Sequence, residues 1–426
     1  QALISAKPKE HPAQETHRIM LEGEAKSAMD MGEGCKFAPR CRFCQKGLCD
    51  AKTPKLREIR PGHFVACHRV ESEMSREETK QILSELHEVS GVSGREYKVG
   101  EKMKELLSGC YDELTVDALG NYIFKKKGIT GKKKIMLSAH MDEIGFIVSD
   151  IWDNGYVSFL PVGMHQPCLI LNQVLTVHTQ NGEVEGVIGM PPVHQGQRSY
   201  DSVTYKDLKL DVGTKTKKET EALGIRPGDV ITNERGYRIL NDRVFSGKAV
   251  DNRAGCTAAI EVMKNLKDVA HDADVYCCGS VLEEMGVKGA GPAAESIKPD
   301  IAICFDVCFG ATGKEMDGNN RRNYLGEGPA IMLYDWNNTS CLGNIVPTEL
   351  SDALISTANE KEIPYQIGVT LNCGTDAALI SLSGTGVKTA GIGIPNRYMH
   401  SAIGTVDLED INNAGKLVAA YIQKVK

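Results

Sequence analysis

Apolar, strand-like runs that lead into a histidine or a carboxylate are the feature that most constrains the fold of this chain. KKKIMLSAH ends in a histidine, SVLEE in two glutamates, AICFDV carries an aspartate, and GIGIPNRYMH ends in a histidine. In an open α/β sheet, ligands gather outside the carboxyl ends of the strands, so residues far apart in sequence can meet there. With an aspartate before a predicted helix, the candidates are His140, Asp251, Glu283, Glu284, Asp306 and His400.

All six candidates are side chains of types that bind metal ions. Two histidines and four carboxylates exceed what one ion uses, but they suit two ions that share a bridging carboxylate. Two ions about 3.5–4 Å apart lower the pKa of a water toward neutrality, so the pattern favours hydrolysis. The chain has no G-x-S-x-G elbow and no G-x-x-x-x-G-K-[ST] loop, so covalent acyl-enzyme and nucleotide chemistry lack support.

Each candidate also has a simpler explanation. Asp251 precedes a predicted helix, where aspartate is a common N-cap. Adjacent glutamates are usually a solvated patch, but Glu283 and Glu284 follow an apolar run, where two like charges need a cation or a shared proton. One of them can bind metal while the other acts as general base. Asp142 lies two residues after His140 and can hold its second ring nitrogen, although this spacing alone is weak.

Alternating strand-like and helix-like runs predict an α/β fold with an open mixed sheet flanked by helices. From about residue 74, REETKQILSELHEVSG has one apolar helical face, and regular alternation returns after residue 245. Between them, GYVSFLPV, NQVLTVHT, GEVEGVIGM and LKLDVG indicate short strands, with KKETEALG as one helical piece. We therefore predict a catalytic domain over 74–146 and 246–426, with a small β domain inserted over 147–245.

Composition excludes several classes of protein. The net charge of −6 provides no basic surface for nucleic acid and no polybasic membrane patch. No apolar run approaches the roughly 18 residues of a membrane span. Fourteen cysteines in 426 residues without a signal-peptide core are expected to be reduced or metal-bound, which predicts a cytoplasmic protein.

The segments SAHMDEIGF, VDNRAGC, EEMGVKGA and RYMHS, in this order, resemble the tetrahedral aminopeptidase family of dinuclear metallopeptidases. That family includes glutamyl aminopeptidases, and some members were once named endoglucanases. The resemblance extends over residues 74–426. It implies a zinc-exopeptidase-like fold and a metal-dependent aminopeptidase that removes N-terminal residues from peptides.

The resemblance also assigns roles to the candidate residues. The two implied ligand sets are His140, Asp251 and Asp306 for one divalent ion, and Asp251, Glu284 and His400 for the other. Glu283 would be the general base, and Asp142 the carboxylate behind the first histidine. The ions would be zinc or cobalt. The inserted β domain would mediate dimerisation, and the dimers would assemble into dodecamers.

Two alternatives stay open. Dinuclear carboxypeptidases and deacylases use similar ligands, but they carry their extra domain after the glutamate pair, whereas the long gap here lies between His140 and Asp251. A non-catalytic module that docks on a peptide transporter would tolerate a Glu283→Gln substitution. A glycosidase needs two carboxylates but has no use for His140 and His400, so we reject that function.

Residues 1–73 form a cysteine-rich segment that resembles the C-terminal tail of oligopeptide and dipeptide transporter ATP-binding subunits. GCKFAPRCRFCQKGLC and PKLREIRPGHFVACH carry this resemblance. It matches the tail's cysteines to Cys35, Cys41, Cys49 and Cys67, which could hold an iron–sulfur cluster or zinc, or remain a reduced loop. It also suggests an association with a peptide transporter. The tail ends just before Met74, where such an aminopeptidase would begin, so we expect a protein that starts there to keep its peptidase activity.

Overall fold

Buried apolar runs form the central strands of the largest sheet. The computed structural model describes residues 33–41, 44–60, 63–190, 193–195, 202–234, 236–311 and 322–426. The strand Lys134–His140 is buried at every position but the first, and Ile301–Phe309 is buried at every position but its two ends. Strands that are covered on both faces need continuous apolar residues rather than alternation, which explains the unbroken runs in the sequence.

Within the described residues, the strands fall into three sheets of two, five and twelve strands. In chain order they are β1 (Leu56–Arg60), β2 (His63–Ala66), β3 (Glu113–Val116), β4 (Tyr122–Lys126), β5 (Lys134–His140), β6 (Gly145–Ile151), β7 (Val157–Val162), β8 (Val174–Thr179), β9 (Gly182–Val187), β10 (Val230–Asn233), β11 (Arg238–Leu240), β12 (Val244–Gly247), β13 (Asp274–Ser280), β14 (Ile301–Phe309), β15 (Ala330–Asn337), β16 (Leu342–Ile345), β17 (Gln366–Leu371), β18 (Lys388–Arg397) and β19 (Gly404–Asp407).

Helices accompany the sheets throughout the described ranges. The α-helices are His68–His87, Tyr97–Leu106, Lys217–Ala222, Val250–Asn265, Ala290–Ile297, Thr348–Lys361, Ala377–Ile380 and Leu408–Ile422, and short 3-10 helices cover Ala38–Arg40, Pro167–Ile170 and Val193–Gln195. The helix Val250–Asn265 is buried along most of its length. None of the helices in the described ranges is both long and apolar enough to cross a membrane.

Parallel strands bring several chain segments to one edge of the large sheet. Its order is β11-β12-β19-β18-β14-β5-β13-β4-β3, and β15 joins at β18 with β16 and β17 beyond it. β5 runs parallel to both β13 and β14, and β14 runs parallel to β18. Ser280 at the end of β13 lies opposite His140 at the end of β5. The carboxyl ends of these strands therefore share an edge, and the α/β prediction is confirmed.

The five-stranded sheet has the order β7-β6-β10-β8-β9 and its own apolar core. All its strand pairs are antiparallel. Phe146, Leu175 and Ile231 are fully buried in it. Strands β11 and β12 pair in the large sheet, although they lie almost wholly within the stretch 147–245 that we predicted as an insertion. The domain division itself stays a prediction.

Three local predictions need correction. LKLDVG forms isolated bridges rather than a strand, because Leu210 pairs with Val157 while its neighbour Asp211 pairs with Val187. The helix expected from about residue 74 already begins at His68. β14 continues beyond Asp306 to Phe309, since β18 remains paired beside it to that point.

The chain separates into two compact units, residues 1–77 and 78–426. In the first unit, β1 and β2 pair in antiparallel fashion, and the amide of Cys35 donates to the carbonyl of Cys49 at 2.7 Å. Residues 1–32, the first part of the transporter-like segment, lie outside the described residues. All fourteen cysteines are free thiols in the structure.

Candidate metal centre

The candidate side chains come from separate elements that meet at the carboxyl edge of the large sheet. His140 is the last residue of β5, and Asp306 lies in β14. Glu283 and Glu284 follow the end of β13, and His400 follows the end of β18. Short connections after these strands therefore hold the side chains close together.

Asp251 lies in the first turn of the helix Val250–Asn265, where its backbone angles are not helical. The side chain of Asn252 fixes this turn, because it donates to a main-chain carbonyl of β14 at 2.9 Å and accepts from the amide of Gly255 at 2.8 Å. The N-cap position is Ala249, which has no capping side chain. The simpler explanation of Asp251 as an N-cap therefore does not hold.

The carboxylate of Asp251 lies between two imidazoles. Its Oδ1 is 3.1 Å from Nε2 of His140, and its Oδ2 is 3.4 Å from Nε2 of His400. Nε2 of His140 is also 3.7 Å from Oδ1 of Asp306, and Nε2 of His400 is 3.7 Å from Oε2 of Glu284. Each oxygen of one carboxylate thus faces a different histidine–carboxylate pair, which is the arrangement that a bridge between two ions requires.

Asp142 ties the glutamate pair to His140. Its Oδ1 accepts from the amide of Glu283 at 3.0 Å and lies 3.4 Å from Nδ1 of His140. Its Oδ2 accepts from the amide of Glu284 at 3.0 Å and from Oγ of Ser93 at 2.6 Å. The main-chain carbonyl of Asp142 accepts from Nδ1 of His140 at 3.1 Å. Because this contact occupies Nδ1, Nε2 is the ring nitrogen that faces the carboxylate cluster and is placed to bind a metal ion.

Burial and crowding shift the pKa values of the carboxyl groups. Burial raises the pKa of Glu283 well above its usual range and that of Glu284 to about 8, and neighbouring carboxylates add to both shifts. Burial also raises the pKa of Asp306. For Asp251 burial acts in the same direction, but hydrogen bonds with the two imidazoles outweigh it and lower its pKa.

The imidazoles show the opposite balance. Burial favours their neutral forms, but the charge of Glu283 and hydrogen bonds with other carboxylates raise the pKa of His140 well above its usual value. Asp251 and Glu284 overcome burial and raise the pKa of His400 to about 10. The raised histidine pKa values reflect the negative potential of the surrounding carboxylates, which is an environment that a cation stabilises.

One oxygen of Glu284 indicates that a metal ion fits this cluster. Oε1 of Glu284 is buried and has no hydrogen-bond partner, which is costly for a carboxylate. His140, Asp251 and Glu284 each present a ligand atom within 4.8 Å of the others. Nitrogen and carboxylate oxygen donors suit zinc and similar divalent ions. The residues present fit such a metal.

No comparable set of three ligand groups includes a cysteine in the part of the chain that the structure describes. The four predicted N-terminal ligands are Cys35, Cys41, Cys49 and Cys67, all of them free thiols. Their role in holding a cluster or zinc therefore stays a prediction.

Two further groups orient the candidate ligands, and neither was predicted from the sequence. Ser93 donates to Asp142, but its Gly-Val-Ser-Gly context indicated only a turn. The main-chain carbonyl of Met164 accepts from Nδ1 of His400 at 2.9 Å. A main-chain carbonyl has no sequence signature, so only the fold could reveal the second contact.

Comparison with known proteins decides the family. Residues 120–417 match the profile of M42 glutamyl aminopeptidases. A putative aminopeptidase from Acetivibrio thermocellus is 35% identical over 349 residues, which are 82% of this chain and 100% of that protein. The chain belongs to the M42 glutamyl aminopeptidase family. It is a metal-dependent hydrolase that removes N-terminal residues from peptides, as we predicted.

Solved structures agree with this M42 assignment. An aminopeptidase from the archaeon Desulfurococcus kamchatkensis is 36% identical, with a TM-score of 0.78 over 82% of this chain and 96% of that one. The TET1 peptidase of Pyrococcus horikoshii, described as able to assemble into a tetrahedron or a large octahedral shell, is 31% identical, with a TM-score of 0.73 over 82% and 100% of the two chains. Neither the carboxypeptidase alternative nor the docking-module alternative is favoured.

The N-terminal resemblance is also confirmed. Residues 1–49 match the C-terminal region of oligopeptide/dipeptide transporters. A putative peptide import ATP-binding protein from Brucella ovis is 43% identical over 68 residues, which are 16% of this chain and 21% of that protein. The two parts of the sequence therefore have different relatives.

Proposed function

We propose that this M42 aminopeptidase holds two divalent ions at the edge of its large sheet. One ion is bound by His140, Asp251 and Asp306, and the other by Asp251, Glu284 and His400. The observation that carries this proposal is the position of Asp251, whose two oxygens lie 3.1 Å and 3.4 Å from different imidazoles. The unpaired, buried Oε1 of Glu284 supports it independently.

We assign the role of general base to Glu283. The ions, when bound, supply an activated water and polarise the scissile carbonyl. Glu283 takes the proton of the attacking water and passes it to the leaving amine. Its Oε2 lies 3.9 Å from Nε2 of His140, and its amide is anchored by Asp142 at 3.0 Å. The side chain is thus beside the ligand cluster on a fixed backbone, as a base requires.

A Glu283→Gln substitution tests this role. Glutamine keeps the size of the side chain but cannot accept the proton, so kcat should fall by about 10²–10⁴-fold. Bound metal, measured by atomic emission, should stay at the level of the unmodified protein. Glu360→Gln, on the exposed surface, is the matched control and should keep full activity. Unchanged turnover in Glu283→Gln would remove Glu283 from the mechanism.

Aminoacyl chromogenic substrates with and without an N-terminal block test the position of cleavage. Metal-reconstituted protein should release the chromophore only from substrates with a free amino group. Equal cleavage of blocked substrates would contradict action at the N-terminus. A panel of acidic, basic and apolar residues in the same assay would define the residue preference.

We infer that zinc or cobalt is the working metal. The ligands are imidazole nitrogens and carboxylate oxygens, which suit either ion. Protein stripped with EDTA should lose activity and regain it with one of these ions. Recovery with magnesium alone would contradict this inference.

We also propose that the protein forms homo-oligomers, from dimers to dodecamers, through the predicted β insertion over 147–245. The likeness to a peptidase that assembles into a closed shell supports this proposal. Light scattering at several protein concentrations would test it, and a monomer throughout would overturn it. A cytoplasmic location and an association with a peptide transporter through residues 1–73 also stay predictions.

A further inference from the structure

A turn of the five-stranded sheet reaches the candidate metal centre. It begins at Val162, the last residue of β7, covers residues 162–165, and brings the carbonyl of Met164 to 2.9 Å from Nδ1 of His400. A carbonyl oxygen can only accept, so this contact requires a proton on Nδ1. Nε2 is then the ring nitrogen of His400 that faces the candidate ligands, and it lies 3.4 Å from Asp251 and 3.7 Å from Glu284.

The two histidines of the centre are therefore oriented from different parts of the protein. Nδ1 of His140 is held by Asp142, which lies in the same loop at the end of β5. Nδ1 of His400 is held by a carbonyl that belongs to the connection after β7, a strand of the smaller sheet. A change in the smaller sheet would thus alter the contact that orients His400 but not the contacts that orient His140.

Packing on both sides restricts this turn. Gly163 has a φ of +82°, and a Cβ placed on it would lie 2.6 Å from Cγ2 of Ile144 and 3.4 Å from Oε2 of Glu284. Only a residue without a side chain fits this approach. The turn and the Glu284 side chain are therefore close neighbours.

His165 connects the turn to the core of the smaller sheet. Its ring lies 4.3 Å from the ring of Phe146, which is fully buried. Burial, with a further contribution from His400, lowers the pKa of His165 to about 4, and its Nε2 is buried without a hydrogen-bond partner. His165 is thus a neutral packing residue beside the centre, and it does not add positive charge next to His400.

We propose that the turn 162–165 is a positioning element for His400, so that the ion bound by Asp251, Glu284 and His400 depends on the smaller sheet. The ion bound by His140 does not share this dependence. This inference rests on the ligand roles proposed above. It makes the predicted insertion a part of the catalytic apparatus as well as a region for assembly.

Stepwise titration of Co²⁺ into EDTA-stripped protein tests the proposal, with visible absorption and bound metal as readouts. In Gly163→Ala, one equivalent should bind as in the unmodified protein, and the other about 10–100-fold more weakly. Gly213→Ala is the matched control, because Gly213 has a similar φ of +80° but open space around its Cβ position. It should bind both equivalents normally. Equal weakening of both equivalents, or of neither, would overturn the proposal.

His165→Ala is a second variant of the turn, and it adds no atoms near the Glu284 side chain. It removes the ring that packs on Phe146, and it should weaken the same single equivalent. In a His400→Ala background, which should retain one equivalent, His165→Ala should cause no further change. A further loss of affinity there would show that the turn acts on the whole fold, and the proposal would fail.

The same titrations separate this inference from the proposed function. If the unmodified protein binds fewer than two equivalents, or His400→Ala keeps both, the proposed ligand sets are wrong. If the unmodified protein binds two, His400→Ala loses one, and both turn variants bind normally, only the positioning role fails. Thermal unfolding of each metal-free variant checks that the fold is retained.

Discussion

At the scale of single residues, Glu261 carries a buried carboxyl group outside the metal centre. It accepts hydrogen bonds from Thr79 and, at 3.1 Å, from Asn412. Burial nevertheless raises its pKa to about 7, against which the nearby Lys416 acts only weakly. The folded protein therefore keeps the Glu261 carboxyl protonated up to about pH 7, whereas in the unfolded chain this carboxyl ionises with its ordinary pKa of 4.5.

This shift predicts that Glu261 makes the protein less stable as the pH rises. A raised pKa in the folded state gives a contribution to stability that is present below about pH 4.5 and lost as the pH passes 7. Glu261→Gln removes the ionisation. Above pH 7 its free energy of unfolding should exceed that of the parent by up to roughly 3 kcal/mol, which thermal unfolding would show as a higher midpoint. Most of this difference should be gone at pH 5. A difference that does not depend on pH would contradict this account.

The placement of individual candidate ligands was predictable where the local sequence made their burial costly. Glu283 and Glu284 follow an apolar strand, and the structure buries both beside His140. The contact between Met164 and His400 was not predictable, because it joins a main-chain atom to a side chain 236 positions away. Such contacts depend on the tertiary fold alone.

At the scale of elements, a buried charged network fixes the loop after β5. Nζ of Lys248 lies 3.0 Å and 2.8 Å from the two carboxylate oxygens of Glu143. Arg253, fully buried, lies 3.4 Å from the same carboxylate and donates to the carbonyls of Leu86 and Met141. The network joins this loop to the start of the helix that carries Asp251, so it holds two parts of the candidate centre in register.

Lys248→Met should therefore destabilise the protein by about 3 kcal/mol or more, because it leaves a buried carboxylate with one cation fewer. Lys388→Met is the matched control. Its partner Glu349 is exposed, so its loss should cost less than about 1 kcal/mol. Urea unfolding at a fixed protein concentration measures both. Equal effects would show that burial does not decide the energy of these pairs.

Element types followed from the sequence more reliably than element ends. The continuous apolar runs of β5 and β14 allowed their prediction as buried strands. The end of β14 depends on its pairing with β18, and LKLDVG lacks a full-length partner strand, so neither outcome follows from local sequence. Pairing partners are set by the whole sheet.

At the scale of the whole molecule, the metal centre lies entirely within the unit 78–426. The buried residues Ile82, Leu83 and Leu86 of the helix His68–His87 belong to this unit. A protein that starts at Met74 keeps this buried part. It should retain full kcat/KM on a peptide substrate and the same metal content. Loss of either on truncation would show that residues 1–73 are integral to the enzyme.

Anomalous X-ray scattering from crystals loaded with zinc tests the central claim most directly. Difference maps collected at the zinc absorption edge should show two peaks about 3.5–4 Å apart, on either side of the carboxylate of Asp251. One peak should contact His140 and Asp306, and the other Glu284 and His400. No peak at this edge of the sheet, or a single ion that does not touch Asp251, would contradict the account.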